Sequence, residues 1–206
     1  MSEEKDYYLE QVLEFAYEKH KDQKRKYTNE PYINHPINVA MIIEEAFSHT
    51  SELYMYSDKL PIRINTVIGA WLHDVVEDTN TSFVEIEEKF GIHIRNILYY
   101  VTNISKPTDG NRKIRKKIDM AHNLKGPVES IMIKLADIID NCNGIMKRDP
   151  SFGKKYLIEK QQFLLNLVGQ GYYNNFKEMV DKPLFEVLEY LYTKAWTTIK
   201  TEIGVN

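Results

Sequence analysis

The first clear pattern along the chain is a helical spacing of apolar residues near its beginning. These residues recur at intervals of three and four and predict an amphipathic helix that ends near residue 20. They are Leu9, Val12, Leu13, Phe15 and Ala16. Residues 21–36 are polar and contain two prolines, so they predict a loop that leads into a second helix. This arrangement places His35 at the entrance of the second helix.

Apolar runs of helical length continue through the rest of the chain. A strongly apolar helix is predicted over residues 64–72, directly before His73 and Asp74. A capped helix is predicted to begin at Thr81 or Ser82 and to stop at Gly91. Further helices are predicted over residues 93–103, 112–123, 128–142, 154–168 and 184–201. Because no alternating pattern is long enough for a sheet, we expect an all-α bundle of roughly ten helices.

Composition narrows the class of protein without giving a function. The chain has 206 residues, of which 43% are hydrophobic, so we expect one domain over residues 1–206, with its C-terminal helices at about 154–201. A net charge of −3 gives no general attraction to nucleic acid or to an anionic membrane. The single cysteine, Cys142, and the lack of a membrane-length apolar run favour a cytoplasmic protein.

Ionisable residues interrupt three of the apolar segments. They are His35, the pair His73 and Asp74, and Asp137. Burying a carboxylate is costly unless it is paired, hydrogen-bonded or bound to a metal. Carboxylates at the carbonyl end of an apolar helix also require a compensating positive charge. Taken singly, His35 could be a capping histidine and Asp137 could pair with Lys134, but together these residues predict one shared site.

Two imidazoles and two carboxylates form a nitrogen and oxygen donor set without a thiolate. Such a set suits Mn²⁺, Fe²⁺, Co²⁺ or Zn²⁺. A bound divalent ion polarises a phosphoryl oxygen and lowers the pKa of water toward about 7. Glu77 and Asp78 follow Asp74 by three and four residues, so a helical turn would return them to the same side, where they could orient water or carry a proton. The residues therefore predict a metal-dependent phosphohydrolase.

Several segments together resemble the hydrolase domain of the RelA/SpoT family, an HD-domain family with a helical fold. The matching residues are 23–26, 31–36, 72–79, 90–91, 101–102, 134–137 and 141. In order and spacing they cover a motif-bearing core of about residues 5–165. The resemblance includes the standalone small alarmone hydrolases of the metazoan SpoT homologue-1 type.

The resemblance implies an activity and assigns roles to the matching residues. The activity is removal of pyrophosphate from the 3′ position of guanosine 3′,5′-bis(diphosphate), ppGpp, or of pppGpp, which leaves GDP or GTP, usually with Mn²⁺. The implied metal ligands are His35, His73, Asp74 and Asp137, and the implied water-activating pair is Glu77 and Asp78. The implied substrate contacts are Arg25, Lys26 and the ribose-binding Asn141.

A second basic cluster lies just before the last motif. Because the family also has basic residues there, we expect Arg112, Lys113 and Arg115 to contact phosphate. For Lys116 and Lys117 a solvated helix face is an equally good interpretation. The sequence departs from the family pattern at Asn29, at Asn103 and in an enlarged connection over residues 48–61. None of these departures falls on an expected metal ligand.

Other functions remain compatible with the same donor set. One is another HD phosphohydrolase, acting on the adenosine alarmone ppApp, on the 2′-phosphate of NADPH or on a deoxynucleotide. Another is an alarmone-binding sensor without turnover. The chain has no synthetase segment after the hydrolase motifs, so we expect a monofunctional hydrolase of a small nucleotide. A homo-oligomer and a toxic alarmone synthetase as counterpart are open as partners.

Overall fold

Helices make up most of the computed structural model, which describes residues 2–50, 60–169 and 171–205. Within these ranges there are eleven α-helices and one short 3₁₀ turn, Pro107–Asp109. The helices are α1 (Ser2–His20), α2 (Asn34–Thr50), α3 (Leu60–Leu72), α4 (Val75–Asp78), α5 (Phe83–Val101), α6 (Arg112–Asn123), α7 (Val128–Cys142), α8 (Ile145–Arg148), α9 (Pro150–Gly169), α10 (Tyr172–Met179) and α11 (Lys182–Ile203). The prediction of an all-α fold is confirmed.

Several helix ends are fixed by local side-chain chemistry. The hydroxyl of Ser82 accepts a hydrogen bond from the backbone N–H of Glu85, so Ser82 and not Thr81 caps α5. Asn111 and Asp181 cap α6 and α11 in the same way. Gly91 has a φ of 85° inside α5 and kinks the helix there, as the predicted helix stop indicated.

Helix α7 lies at the centre of the molecule. It packs against α2, α3, α5, α9 and α11, and residues 128–139 are all buried. Most of these buried residues are apolar, as expected for a helix that presents little of its surface to water. The polar side chains of Lys134 and Asp137 are therefore held inside the protein.

The predicted boundaries differ from the structure mainly in the C-terminal part. The helix predicted over residues 154–168 begins earlier, at Pro150, and the helix predicted over 184–201 extends to Lys182 and Ile203. The short helices α8 and α10 were not predicted, since neither is long enough to show an apolar period. Most of the connection over residues 48–61 lies outside the described residues. Among the described helices, none is long and apolar enough to cross a membrane.

The turn between α6 and α7 depends on Gly126. A Cβ atom at this position would lie 2.2 Å from Ser130 Oγ and 2.5 Å from the Cβ of Tyr100. Because the Tyr100 Cβ is next to its backbone, it cannot swing away. We expect Gly126→Ala to lower the free energy of unfolding by about 1–3 kcal/mol, as overpacking does. Denaturant unfolding with Gly169→Ala as the control tests this, because nothing lies within 4 Å of a Cβ there. An equal effect at both positions would contradict the prediction.

Candidate metal centre and active site

The four predicted metal ligands come together at one point. His35 lies in the first turn of α2, His73 and Asp74 form the turn between α3 and α4, and Asp137 lies on α7. The His35 Nε2 atom is 3.2 Å from His73 Nε2 and 3.5 Å from Asp74 Oδ2. Asp137 Oδ1 lies 3.3 Å from His35 Nε2 and 4.0 Å from His73 Nε2. Donor atoms from three distant segments thus face one small volume.

Both imidazoles are oriented with Nε2 toward this volume. His73 Nδ1 lies 2.8 Å from the carbonyl oxygen of Ala70, and because a carbonyl only accepts, Nδ1 carries the proton. His35 Nδ1 donates in the same way to Asp140 Oδ2 at 2.6 Å. Each ring therefore turns Nε2 toward the other ligands, an arrangement typical of metal-binding histidines.

The electrostatics of the cluster favour a bound cation. Burial works against ionisation of Asp74, yet His73 and His35 hold its pKa below the ordinary value. The pKa of Asp137 is likewise lowered, since the contact with His35 and the nearby charge of Lys160 outweigh its burial. Burial lowers the pKa of His35, but hydrogen bonds to Asp137 and Asp140 outweigh it and raise the pKa to about 9. A divalent ion would replace the proton that these carboxylates otherwise hold on His35.

The donor set fits a divalent metal ion. Three of these residues already offer ligand atoms that all lie within 4.8 Å of one another: His35, His73 and Asp74. The side chains of His35 and His73 are almost fully buried, while Asp74 is partly exposed, at 17%, on the side of the cavity described below. Mixed nitrogen and oxygen donors with one open side suit an ion that must also meet a substrate.

Glu77 and Asp78 lie on the single turn of α4 and have different surroundings. Asn103 holds Glu77 by two groups, its backbone N–H and its side-chain amide, at 3.1 and 2.8 Å. The hydroxyl oxygen of Tyr32 lies 2.6 Å from Asp74 Oδ2 and 3.0 Å from Asp78 Oδ2, so its single proton is shared between the two carboxylates. Burial and the charge of Asp74 raise the pKa of Asp78. Both carboxylates line the cavity beside the four ligands.

A cavity of about 1050 Å³ opens beside the metal ligands. Asp74 and Asp137 line part of it, and basic residues from α6, α7 and α9 line much of the rest. These are Arg112, Lys113, Lys116, Lys117, Lys134, Lys155 and Lys160. Arg112 is paired with Glu159 at 2.7 Å, and Arg115 is not among the lining residues. The structure thus brings Lys116 and Lys117 to the cavity, whereas Arg115 of the expected set lies elsewhere.

A second cavity of about 420 Å³ lies on the other side of Asn141 and Tyr156. Arg25 and Lys26 line it together with Arg148. The guanidinium of Arg25 donates to Asp140 at 3.0 Å and to Asn141 at 3.2 Å. Asn141 and Tyr156 also line the large cavity, so the two basic surfaces meet at these residues.

Three residues in or beside this region had no role in the sequence interpretation. Tyr32 bridges Asp74 and Asp78 from within a matched motif, and its position beside His35 was the available signal. Asp140 lies three residues beyond Asp137 on α7, a spacing that puts both on one side of a helix. Lys160 comes from α9, and its charge lowers the pKa of Asp137 only because tertiary packing brings the two together, which no local pattern predicts.

The chain is similar to several known proteins. A family model described as HD domain matches residues 12–161. The guanosine-3′,5′-bis(diphosphate) 3′-pyrophosphohydrolase MESH1 of Xenopus tropicalis is 36% identical over 141 residues, which cover 68% of this chain and 70% of that protein. The MESH1 protein of Homo sapiens is 29% identical over 193 residues, covering 93% and 96% of the two chains.

Two further similarities concern a longer relative and a solved structure. The guanosine-3′,5′-bis(diphosphate) 3′-pyrophosphohydrolase of Aquifex aeolicus is 36% identical over 140 residues, but the match spans only 17% of that protein. A solved structure of a metazoan ortholog of SpoT, described as hydrolysing ppGpp, superimposes with a TM-score of 0.63 at 25% identity. It covers 91% of this chain and 94% of that one. The chain therefore belongs to the HD-domain family and, within it, to the family of the MESH1 pyrophosphohydrolases.

Proposed function

We propose that the chain hydrolyses ppGpp and pppGpp at the 3′ position and releases pyrophosphate with GDP or GTP. The observation that carries this proposal is the cluster of four ligands beside a large cavity that is lined by cations and to which Asp74 and Asp137 contribute. A substrate with two diphosphate groups is strongly anionic, and clustered lysines attract such a ligand. The names of the MESH1 relatives support the same reaction.

His35, His73, Asp74 and Asp137 would hold the metal ion, and Mn²⁺ is the ion we propose. When bound, the ion supplies Lewis-acid polarisation of a phosphoryl oxygen and makes water more acidic. Glu77 and Asp78 would orient the attacking water and accept its proton, for which the raised pKa of Asp78 is favourable. The water oxygen forms a bond to the phosphorus next to the ribose, the bond between that phosphorus and the ribose 3′ oxygen breaks, and a proton passes to the 3′ oxygen.

The remaining residues would position the nucleotide on both sides of Asn141. Arg25 and Lys26 line the small cavity together with aromatic Tyr27 and Phe152, and Lys26 Nζ lies over both rings. Lys113, Lys116 and Lys117 line the large cavity and would bind phosphate. Lys160 lines the same cavity, and its charge helps to lower the pKa of Asp137. Arg112 would act there as a partner of Glu159. Arg115 has no place in this arrangement.

Product analysis tests the proposed function. The purified protein is stripped of metal, reloaded with Mn²⁺ and supplied separately with ppGpp, pppGpp, ppApp, NADPH and deoxynucleoside triphosphates. We expect GDP or GTP and an equal amount of pyrophosphate from the guanosine alarmones, as measured by ion-exchange chromatography. The metal-free protein is the control.

Two results would contradict this function in different ways. Release of phosphate from NADPH or from a deoxynucleotide, with no attack on a 3′-diphosphate, would identify another HD phosphohydrolase. Binding of ppGpp to the Mn²⁺-loaded protein without hydrolysis would identify a sensor.

A further inference from the structure

The carboxylate of Asp140 is shared by a metal ligand and a basic residue of the small cavity. Its Oδ2 atom accepts from His35 Nδ1 at 2.6 Å and from Arg25 Nη2 at 3.0 Å. Its Oδ1 atom accepts from Asn38 at 2.9 Å. His35 and Arg25 therefore share one oxygen atom, and its negative charge is divided between them.

This contact belongs to a closed network that reaches a second ligand. The other terminal nitrogen of Arg25 donates to the side-chain oxygen of Asn141, whose amide in turn donates to Asp137. Arg25 is thus linked to two of the four ligand residues through one intervening side chain each. Asp140 links it to His35, and Asn141 links it to Asp137. The side chains of Asp140 and Arg25 are only 11% and 20% exposed, so water screens their interaction weakly.

We propose that Asp140 is a positioning residue that couples metal binding to the state of Arg25. While Arg25 donates a hydrogen bond to Asp140 Oδ2, less of the negative charge on that oxygen is available to polarise the imidazole of His35. When an anionic substrate draws the guanidinium away, Oδ2 accepts from His35 alone, and the imidazole becomes a stronger ligand. Linkage makes the effect reciprocal, so the bound metal also favours release of Arg25 toward the substrate. The part that concerns substrate rests on the function proposed above, whereas the part that concerns metal does not.

Titration of the metal-free protein with Mn²⁺ alone, followed by calorimetry, tests the coupling. Asp140→Asn is expected to weaken Mn²⁺ binding by about 10- to 100-fold, the usual effect of losing a carboxylate that supports a metal-binding histidine. Arg25→Ala is expected to tighten Mn²⁺ binding by about 5-fold or more. The matched control is Lys26→Ala, which removes the same charge from the same cavity but has no bond to Asp140. Its affinity for Mn²⁺ is expected to stay within about 2-fold of the parent.

The double variant separates coupling through Asp140 from a general effect of charge. In the Asp140→Asn background, Arg25→Ala is expected to change Mn²⁺ affinity by less than about 2-fold. Equal shifts for Arg25→Ala and Lys26→Ala, or an Arg25 effect that survives in the double variant, would overturn the proposal. So would an Asp140→Asn protein that binds Mn²⁺ like the parent.

Two features keep the test independent of folding and of substrate. Thermal unfolding of each metal-free variant shows whether that variant is folded. If the Asp140→Asn protein is unfolded, the comparison of Arg25→Ala with Lys26→Ala still decides the outcome. No nucleotide is present in the titration. A failure of the proposed hydrolysis therefore leaves this result unchanged, and a failure of the coupling leaves the hydrolysis unchanged.

Discussion

Asp74→Asn and His73→Ala are each expected to abolish Mn²⁺ binding and hydrolysis together. Asp74 Oδ2 lies 3.0 Å from His73 Nε2 and 3.5 Å from His35 Nε2, so either change removes a donor from the centre of the cluster. The loss of Mn²⁺ affinity should exceed the roughly 100-fold that follows from changing an outer partner of a ligand. Metal analysis after gel filtration and product release from ppGpp measure the two effects.

Thermal stability gives an independent reading of the same variants. Mn²⁺ at about 100 times its dissociation constant should stabilise the parent protein by about 2.7 kcal/mol. We expect this gain to disappear in Asp74→Asn and in His73→Ala. The control is Asp22→Asn, which removes an exposed carboxylate of the loop after α1. A variant at Asp74 that kept stoichiometric Mn²⁺ would show that this residue is not a ligand.

Glu77→Gln is expected to keep the metal and to slow hydrolysis by at least about 10²-fold. The carboxylate is not among the closely spaced ligand atoms, yet it lines the same cavity. An amide of the same size cannot accept a proton from water, so the chemical step should suffer while Mn²⁺ binding does not. The measurements are kcat at saturating Mn²⁺ and ppGpp, and the metal content of the same sample.

Asn103 provides the control for the position of Glu77. Asn103→Ala removes the side-chain contact but leaves the backbone N–H that holds the carboxylate at 3.1 Å. The loss of one hydrogen bond should slow hydrolysis by less than about 10-fold. If Glu77→Gln kept the full turnover of the parent, the assignment of water activation to Glu77 would be wrong, and Asp78 would be the remaining candidate on α4.

Asn103 is one of the positions where the sequence departs from the family pattern, and the structure explains this residue. Its side-chain amide donates to both oxygens of Glu77, at 2.8 and 3.1 Å. An ionised aspartate in its place could not donate and would repel the glutamate. The asparagine therefore fixes Glu77 by a contact that an aspartate at this position cannot make.

The sequence was sufficient for the features that depend on local pattern. The breaks in apolar runs at His73 and Asp137 pointed to buried polar groups, and these side chains are indeed inside the protein. The cap at Ser82 and the interruption at Gly91 are also local effects. Each of these signals lies within a few residues of the feature that it predicts.

Features that depend on packing between helices could not be predicted in this way. Asp140 follows an apolar run at a helix end, where a carboxylate ordinarily faces water, and only the approach of α2 brings it to His35. Arg115 and Lys116 are neighbours on a basic helix, yet of these two Lys116 lines the cavity and Arg115 does not. The spacing of residues along the sequence shows which of them share a face of one helix. It does not show which face another helix covers.

The central position of α7 has a consequence for how the protein comes apart. His35, the turn after α3 and Asp137 belong to segments that are far apart along the chain, and α7 is enclosed by the helices that carry the other ligands. A cation held by all three segments would act as a cross-link that closes long loops, the kind of closure expected to stabilise a fold most. Unfolding of the Mn²⁺-loaded protein should therefore release the ion and separate the helices in one cooperative event, at a higher temperature than unfolding of the metal-free protein.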